Sequence, residues 1–339
     1  MTPLLLARAL GFCGQEKGPG DEVGGQMKNL SLPDPAPVAA PPATPERILQ
    51  RLDWKVIRRL DGVLQGDYRS LFYGYGLDFA DLREYQPQDD IRYIDWNVTA
   101  RMDAPYVRQY VEDREITAWF LLDLSPSMDF GTVAARGHKR AVLVDLVGTL
   151  ARLLTQHGNR VGAIFYSGRA GPLRAIPARG GRLQVLRLVN DLLRQSSLPR
   201  APLTDLNPLL QSALNALKQR SLVFLVSDFI SVPGWERTLA LLNRRHETLA
   251  VRLWDPGEVT LPDVGPLLME DAETGEQLYV DTHDRKFRQR FKEAAEQRQA
   301  ALQQTFKRAG VDLFSFSTNE DLVRALVRLT MERRQRRTA

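Results

Sequence analysis

Hydrophobic and polar positions change their rhythm along this chain of 339 residues. Between residues 46 and 64, apolar side chains recur at every third or fourth position, a spacing that predicts an amphipathic helix. From residue 116 onward, short apolar runs alternate with longer helical patterns, and few polar residues interrupt the apolar runs. Strands that helices cover on both faces are apolar throughout. The alternation therefore predicts an α/β fold with an open, mostly parallel, doubly wound sheet.

The individual elements follow from the same patterns. Strands are predicted at residues 116–124, 160–166, 173–177, 222–227, 248–254 and 312–316. Helices are predicted at residues 138–157, 182–195, 206–219, 235–245, 285–308 and 319–334. Between residues 259 and 281 the alternation around Thr274 and Gly275 predicts a β-hairpin.

The patterns divide the chain into four regions. Residues 1–45 are rich in glycine and proline, with six prolines between Pro33 and Pro45, and contain too few apolar residues to order themselves. Residues 46–115 are predicted to form an extension of one helix and β-hairpins. Residues 116–330 are predicted to form the α/β domain, and residues 331–339 a basic tail.

Composition narrows the class of protein. With 43% hydrophobic and 26% charged residues the chain is globular, and no apolar run approaches the roughly 20 residues of a membrane span. The net charge of +5 could suggest nucleic acid, but its densest cluster lies at the C-terminal tip, where arginines complement a helix dipole: Arg333, Arg334, Arg336 and Arg337. The single cysteine, Cys13, excludes an internal disulfide and suits a reducing cytoplasm, where we expect the protein to reside.

Polar side chains that could bind a ligand or take part in a reaction follow two of the predicted strands. In FLLDLSPSMDFG, Asp123 ends an apolar run and is followed by Ser125 and Ser127. Asp228 ends the run LVFLVSDF, and Thr204 lies in the loop before the helix that leads into that strand. Because functional groups of parallel sheets collect beyond the carboxyl ends of the strands, we expect these five residues to converge.

An all-oxygen set of two carboxylates and three hydroxyls favours a hard divalent cation, Mg²⁺ first and Mn²⁺ second. If the hydroxyls ligate directly and the aspartates act partly through water, the ion is incompletely neutralised. It then attracts an anionic oxygen from outside, for which the natural source is a carboxylate on another molecule. The pattern thus predicts a metal site that binds a partner.

The same residues resemble a known motif. Asp123, Ser125 and Ser127, with Thr204 and Asp228 downstream, are similar to the metal-ion-dependent adhesion site of von Willebrand factor type A domains. That motif reads Asp-x-Ser-x-Ser, then a distant Thr and a distant Asp, and all five positions match. The resemblance implies a type A fold over roughly residues 116–330 and a protein-binding role for the metal.

The section before the α/β domain adds a second resemblance. GYGLDFADLREYQPQDDIRYIDWNVTAR resembles the bacterial domain-of-unknown-function family numbered fifty-eight, whose members carry a type A domain. The family usually has a glycine before the paired aspartates, where this chain has Gln88, a difference that concerns one turn. Family members are typically encoded beside MoxR-type AAA+ ATPases. The resemblance implies a non-enzymatic, metal-dependent adaptor or chaperone-like protein that binds such an ATPase or its client.

Other interpretations of the motif stay open. Asp and Ser at strand ends also form turns, and Thr204 or Asp205 could cap the following helix. An enzymatic alternative is a Mg²⁺-dependent phosphohydrolase with Asp123 as nucleophile. That chemistry generally needs a second acid where this chain has Ser125, and a further acidic pair where it has only Asp228.

The section from Asp78 to Arg101 allows two interpretations. Its arginines and carboxylates could form a partner-binding face, or a structural network with aromatic residues packed beneath, namely Phe79, Tyr85, Tyr93 and Trp96. We favour the network. Asp129 is expected to be a turn residue. Surface or capping roles are expected for the four histidines, His138, His157, His246 and His283.

Overall fold

The computed structural model describes residues 44–60, 78–87, 89–102, 104–111, 116–132, 138–168, 173–195, 204–271 and 275–338. The predicted tail of residues 1–45 therefore lies outside the described residues except for its last two. Cys13, Gln88, the end of the first predicted helix beyond residue 60 and Thr274 also lie outside them.

Ten strands occur in the described ranges. In chain order they are β1 Asp78–Glu84, β2 Tyr106–Val111, β3 Thr117–Asp123, β4 Arg160–Tyr166, β5 Arg174–Arg179, β6 Leu222–Ser227, β7 Glu247–Trp254, β8 Pro266–Glu270, β9 Gln277–Asp281 and β10 Asp312–Ser317. The α-helices of the same ranges are α1 Pro45–Leu52, α2 Trp96–Met102, α3 Lys139–Gln156, α4 Arg182–Arg194, α5 Asn207–Ala216, α6 Glu236–Arg245, α7 Arg285–Ala309 and α8 Leu322–Thr338.

A six-stranded sheet forms the centre of the molecule, in the order β10-β7-β6-β3-β4-β5. All neighbouring strands are parallel except β4 and β5, so β5 is an antiparallel edge strand. This confirms the predicted mixed α/β fold with a mostly parallel sheet. The chain proceeds from β3 towards β5 on one side and from β6 towards β10 on the other. The strand order therefore reverses between β3 and β6, where crevices form in such sheets.

Helices cover both faces of the sheet. Phe120 and Leu122 of β3 point to the face covered by α1, α3, α4 and α8, whereas Leu121 points to the face covered by α5, α6 and α7. Every residue of β6 is buried, as expected for a strand enclosed on both sides. Phe120 stacks on Phe224 with ring centroids 5.3 Å apart, which ties β3 to β6 beneath the switch point.

The chain departs from the predicted elements in a few places. The fifth helix ends at Ala216 rather than at residue 219, because the next residue, Leu217, is extended and buried in the core. Helix α7 ends at Ala309, one residue later than predicted, and is capped by Gly310, whose left-handed φ of 67° a residue with a side chain adopts less readily. Helix α2, within the section predicted as hairpins and turns, has no buried residue, and so no apolar periodicity marked it.

The antiparallel strands β1 and β2 frame the aromatic and charged section, which we call the hairpin unit (residues 78–111). Arg83 binds Asp89 through two hydrogen bonds of 2.6 and 2.8 Å, and Arg92 binds Asp90. Arginines and carboxylates of this section therefore pair with each other over short sequence distances. Trp96 does not lie beneath them, since 69% of it is exposed. The side chains of Phe79 and Tyr93 lie outside the described residues.

The predicted hairpin of β8 and β9 is confirmed, and its position matters for the site. Met269 and Val280 pack with Phe130 and Ile230, which belong to the loops after β3 and β6. Among the histidines, His246 is buried and is the C-cap residue of α6, so the capping alternative and not the surface alternative applies to it. In the described ranges, no helix combines the length and hydropathy that a bilayer span demands.

Candidate functional site

Asp123 and Asp228 lie at the carboxyl ends of β3 and β6, the two strands between which the strand order reverses. Asp123 is the last residue of β3 and is fully buried. Its Oδ1 accepts a hydrogen bond of 3.0 Å from the backbone N–H of Ser125, and its Oδ2 accepts one of 2.6 Å from the hydroxyl of Ser227. Both donors are neutral, so these two hydrogen bonds do not compensate the negative charge of the carboxylate.

The two serines of the motif lie side by side. Ser125 precedes a 3-10 turn, Pro126–Asp129, that begins with proline, and this turn brings Ser127 back towards Ser125. Their hydroxyl oxygens are 3.1 Å apart, and both side chains are buried. The spacing of two residues thus places both hydroxyls next to Asp123. Asp129 ends the same turn, as expected for it.

Asp228 starts a tight loop after β6. Its Oδ1 accepts a hydrogen bond of 3.0 Å from the backbone N–H of Ile230. Between them, Phe229 has a φ of 58°, the one positive φ of a non-glycine residue in the described ranges. A bulky side chain rarely adopts this conformation, and such strain persists where the surroundings impose it. The loop is therefore held in a fixed shape beside the carboxylate.

Thr204 reaches the same edge from the loop before α5. It is 1% exposed, and its carbonyl oxygen accepts a hydrogen bond of 2.9 Å from the backbone N–H of Val232. The next backbone N–H, of Asp205, donates to the hydroxyl of Tyr166, which lies opposite Asp123 in the β3–β4 register. The carboxylate of Asp205 accepts from the N–H of Asn207 at the start of α5, so Asp205 acts as the helix cap.

A buried lysine completes this edge and was absent from the predicted set. Lys139 Nζ lies 2.6 Å from Oδ2 of Asp228 and 2.5 Å from Oε1 of Glu258, and all three side chains are buried. We call these three residues the lysine cluster. Lys139 begins helix α3, where the helix dipole disfavours a cation. The unfavourable position of this charge was the one indication in the sequence that Lys139 has a special role. Because Lys139 lies between His138 and Arg140, it resembled part of an ordinary basic segment.

The charges at this edge do not balance. Burial, and then the nearby Asp228, raise the pKa of Asp123 to about 6, although hydrogen bonds from Ser227 and Ser125 act in the opposite direction. Burial alone lowers the pKa of Lys139, but Asp228 and Glu258 outweigh it and raise that pKa above its ordinary value. The guanidinium of Arg252 also acts on Asp228 and Glu258, so two cations are present near three carboxylates.

Together, Asp123, Ser125, Ser127, Thr204 and Asp228 form what we call the carboxyl-edge site. Each of the five residues is at most 2% exposed. Within the described residues no group of three His, Cys, Asp or Glu is arranged to hold a metal ion, so an ion here depends on hydroxyl ligands. The donor set contains only oxygen and has uncompensated negative charge, and these two properties suit a hard divalent cation.

Comparison with known proteins supplies the family. A family model described as "Protein of unknown function DUF58" matches residues 81–301. The chain belongs to the DUF58 family. Uncharacterized protein Rv1480 of Mycobacterium tuberculosis (strain ATCC 25618 / H37Rv) is 35% identical over 287 residues, which cover 85% of this DUF58 chain and 89% of the relative. Uncharacterized protein Mb1516 of Mycobacterium bovis matches with the same identity and coverage.

Similarity to solved structures is weaker. The conserved hypothetical protein BatB from Bacteroides thetaiotaomicron is 10% identical, with a TM-score of 0.39 over 66% of the DUF58 chain and 100% of that chain. An aerotolerance-related membrane protein from Bacteroides fragilis is 12% identical, with a TM-score of 0.37 over 64% and 98% of the two chains. Similarity at these TM-scores does not support an inference about the function of the site.

Proposed function

We propose that this DUF58 protein binds Mg²⁺, or Mn²⁺ in its place, at the carboxyl-edge site and uses the ion to hold a carboxylate of a protein partner. In this proposal the protein acts by binding and not by catalysis. The match of all five positions to the adhesion motif of von Willebrand factor type A domains supports the proposal. So does the sheet, in which the strand order reverses between the two strands that carry Asp123 and Asp228.

The observation that carries the proposal is the environment of Asp123. A buried carboxylate normally pairs with a cation or coordinates a metal, because an isolated buried charge is costly. Among the described residues Asp123 has hydrogen bonds from an amide and a hydroxyl but no ion pair. A divalent cation would provide the missing positive charge and would favour the ionised form of this group.

The residues of the site have different roles in this proposal. Asp123 and Asp228 supply negative charge, and Ser125, Ser127 and Thr204 supply neutral oxygen ligands. When bound, the ion supplies a positive centre that attracts an external carboxylate. Lys139 fixes one oxygen of Asp228 and leaves the other to the N–H of Ile230, so Asp228 keeps one orientation whether or not a partner is present.

Burial sets a condition on this function. Because each ligand residue is at most 2% exposed, a partner reaches the ion only after the rim of the site opens. Because the loop after β6 is held in its shape at Phe229, the elements that must move are the loop after β3 and the β8–β9 hairpin, which pack together through Phe130. Partner binding and a shift of this hairpin are therefore coupled in the proposal.

For the partner, the family resemblance implies a MoxR-type AAA+ ATPase or one of its clients, and we adopt that class. The test combines metal binding with capture. Purified protein is titrated with Mg²⁺ by calorimetry and then used to capture the ATPase encoded nearest to its gene, with Mg²⁺ or with EDTA. We expect Mg²⁺ to bind the unaltered protein, and capture to require the ion.

Asp123→Asn should abolish both metal binding and capture, since it keeps the shape of the side chain but removes its charge. Asp284→Asn is the matched control, because Asp284 is an exposed cap of α7 and asparagine caps a helix as well as aspartate does. Capture that is equally strong in EDTA, or Mg²⁺ binding that survives Asp123→Asn, would show that the carboxyl-edge site does not work in this way.

A further inference from the structure

A small cavity lies behind the loop that follows Asp228. Its volume is about 190 Å³, and it is bounded by this loop, by the end of β7 and by helix α7. Two arginines line it, Arg252 from β7 and Arg298 from α7, together with the hydroxyl-bearing residues Ser231 and Thr305. We call it the arginine cavity. Asp228 also lines it, so the cavity adjoins the carboxyl-edge site at this residue, whose two carboxylate oxygens already accept hydrogen bonds from Lys139 and from the N–H of Ile230.

Arg252 is an unusual residue for the end of a core strand. Its Nε is buried and, within the described part of the chain, has no hydrogen-bond partner. Burial lowers the pKa of this guanidinium, and the proximity of Arg298 lowers it as well, while Glu258 and Asp228 raise it. Buried donors without partners are rare in proteins because each one loses its hydration without compensation. The side chain is thus prepared for an acceptor that the described residues do not provide.

Arg298 places a second positive charge at the same cavity. It is exposed, and in the described ranges it forms no ion pair with a carboxylate. Two guanidinium groups that repel each other across a cavity are stabilised by an anion that contacts both. Glu236 also lines the cavity, but its carboxylate already accepts a hydrogen bond of 2.7 Å from the N–H of Gly234.

The wall of the cavity is rigid. The ring of Phe229 lies 4.9 Å from that of Phe306 in an edge-to-face arrangement and 5.8 Å from that of Trp235. This aromatic cluster holds the strained backbone of Phe229 in place, so the cavity keeps its form without a ligand. Sites for drug-sized ligands occupy about 300–1,000 Å³, so a cavity of this size fits one small group.

We propose that the arginine cavity binds a single oxyanion group, a carboxylate or a phosphate, through Arg252 and Arg298. Guanidinium groups present two parallel N–H donors that match the two oxygens of either anion. The anion can be free in solution or can belong to a peptide. This binding needs no metal, and of the carboxyl-edge site only Asp228 lines the cavity.

The test is calorimetric titration of the full chain in EDTA with two probes. One probe is inorganic phosphate, and the other is a short acetylated and amidated peptide that contains one glutamate, compared with the same peptide containing glutamine. Binding of phosphate alone indicates a free anion. Binding of the glutamate peptide, but not of the glutamine peptide, indicates a group on a partner. Either result supports the site if it depends on both arginines.

Arg252→Gln and Arg298→Gln should each weaken binding by about tenfold or more, because each removes a charge-assisted pair of hydrogen bonds. Arg298→Gln keeps the test valid if Arg252→Gln affects folding, since Arg298 is exposed. Arg290→Gln is the matched control, because Arg290 is exposed on the same helix and does not line the cavity. It should bind like the unaltered protein, and so should Asp123→Asn.

The proposal is overturned if neither probe binds at millimolar concentration, or if Arg290→Gln weakens binding as much as Arg298→Gln does. Loss of binding in EDTA or in Asp123→Asn would also overturn it, since the anion would then be held by a metal. A failure of metal binding at the carboxyl-edge site leaves this result unchanged, so the two proposals succeed or fail independently.

Discussion

The lysine cluster and the hairpin unit contain the same kind of interaction in opposite surroundings. In the lysine cluster, the ammonium of Lys139 and its two carboxylates are removed from solvent. In the hairpin unit, Arg92 binds Asp90 at a similar distance of 2.6 Å, but the arginine side chain is 83% exposed. Equal distances therefore describe pairs with very different energies.

The dielectric surroundings explain the difference. Water around Arg92 screens the attraction, and exposed pairs of this kind contribute little to stability. Around Lys139 the screening is weak, so each charge depends on its partner, and removal of one partner leaves the others buried without compensation. In the hairpin unit the short distances therefore reflect a favourable geometry that adds little to stability. In the lysine cluster, by contrast, the stability of the fold depends on each charge keeping its partner.

The largest expected effect comes from breaking the lysine cluster. Lys139→Met keeps the length of the side chain but leaves Asp228 and Glu258 both negative and buried. We expect the free energy of unfolding to fall by about 3–5 kcal/mol, as for other broken buried ion pairs. Urea denaturation followed by circular dichroism measures this change.

Lys286→Met provides the control for that experiment, because Lys286 is exposed on α7. Its effect should remain within about 0.5 kcal/mol, the usual range for surface substitutions. If the two methionine variants were equally stable, the charges of the lysine cluster would have to be neutralised in some other way.

A moderate effect is expected from the metal. At a Mg²⁺ concentration about a hundred times the dissociation constant, an ion that binds only the folded state raises the free energy of unfolding by about 2.7 kcal/mol. We expect this increase in the unaltered protein and almost none in Asp123→Asn. Urea denaturation with Mg²⁺ and with EDTA measures both. Equal stabilisation of both proteins would place the ion elsewhere.

The smallest effect is expected in the hairpin unit. The hydrogen bonds from the Arg92 side chain, and then from its backbone N–H, lower the pKa of Asp90 to about 2. Because this value lies below the ordinary 3.8, the folded state binds fewer protons than the unfolded state in this range. The contribution of the pair is therefore present above pH 4 and is lost as the pH falls towards 2.

Arg92→Gln should raise the pKa of Asp90 part of the way towards its ordinary value, because the backbone N–H remains as a donor. Carboxyl titration by NMR measures the shift, and stability at neutral pH should hardly change. Arg101→Gln serves as the control, since Arg101 is exposed on the same unit. An unchanged pKa in Arg92→Gln would mean that the side-chain pair does not form in solution.

Much of the fold could be predicted because its elements depend on local patterns. The buried strand β6 has an apolar residue at nearly every position, and α7 combines a strong cap with a terminal glycine. Helix α2 could not be found in this way, because it buries nothing and begins beside Asp95, whose side chain binds the N–H of Asn97 and Val98. Its position depends on a cap and not on an apolar face.

The candidate site was predictable to the extent that strand ends determine it. Asp123 and Asp228 follow apolar strands, so the parallel sheet alone places them on the same edge. The lysine cluster was not predictable, because Lys139 and Glu258 are 119 residues apart and meet only through the packing of α3 on the sheet. Neither residue lies at a position that marks a motif.

The antiparallel strand β5 has a consequence for how copies of the protein can associate. An exposed strand at the border of a sheet offers unpaired backbone groups on which another chain can aggregate. In β5, Arg174 and Arg179 are exposed, Pro177 has no N–H to offer, and the carbonyl of Pro177 is occupied by the side chain of Gln184. This border is therefore a poor template for the addition of a strand from another copy.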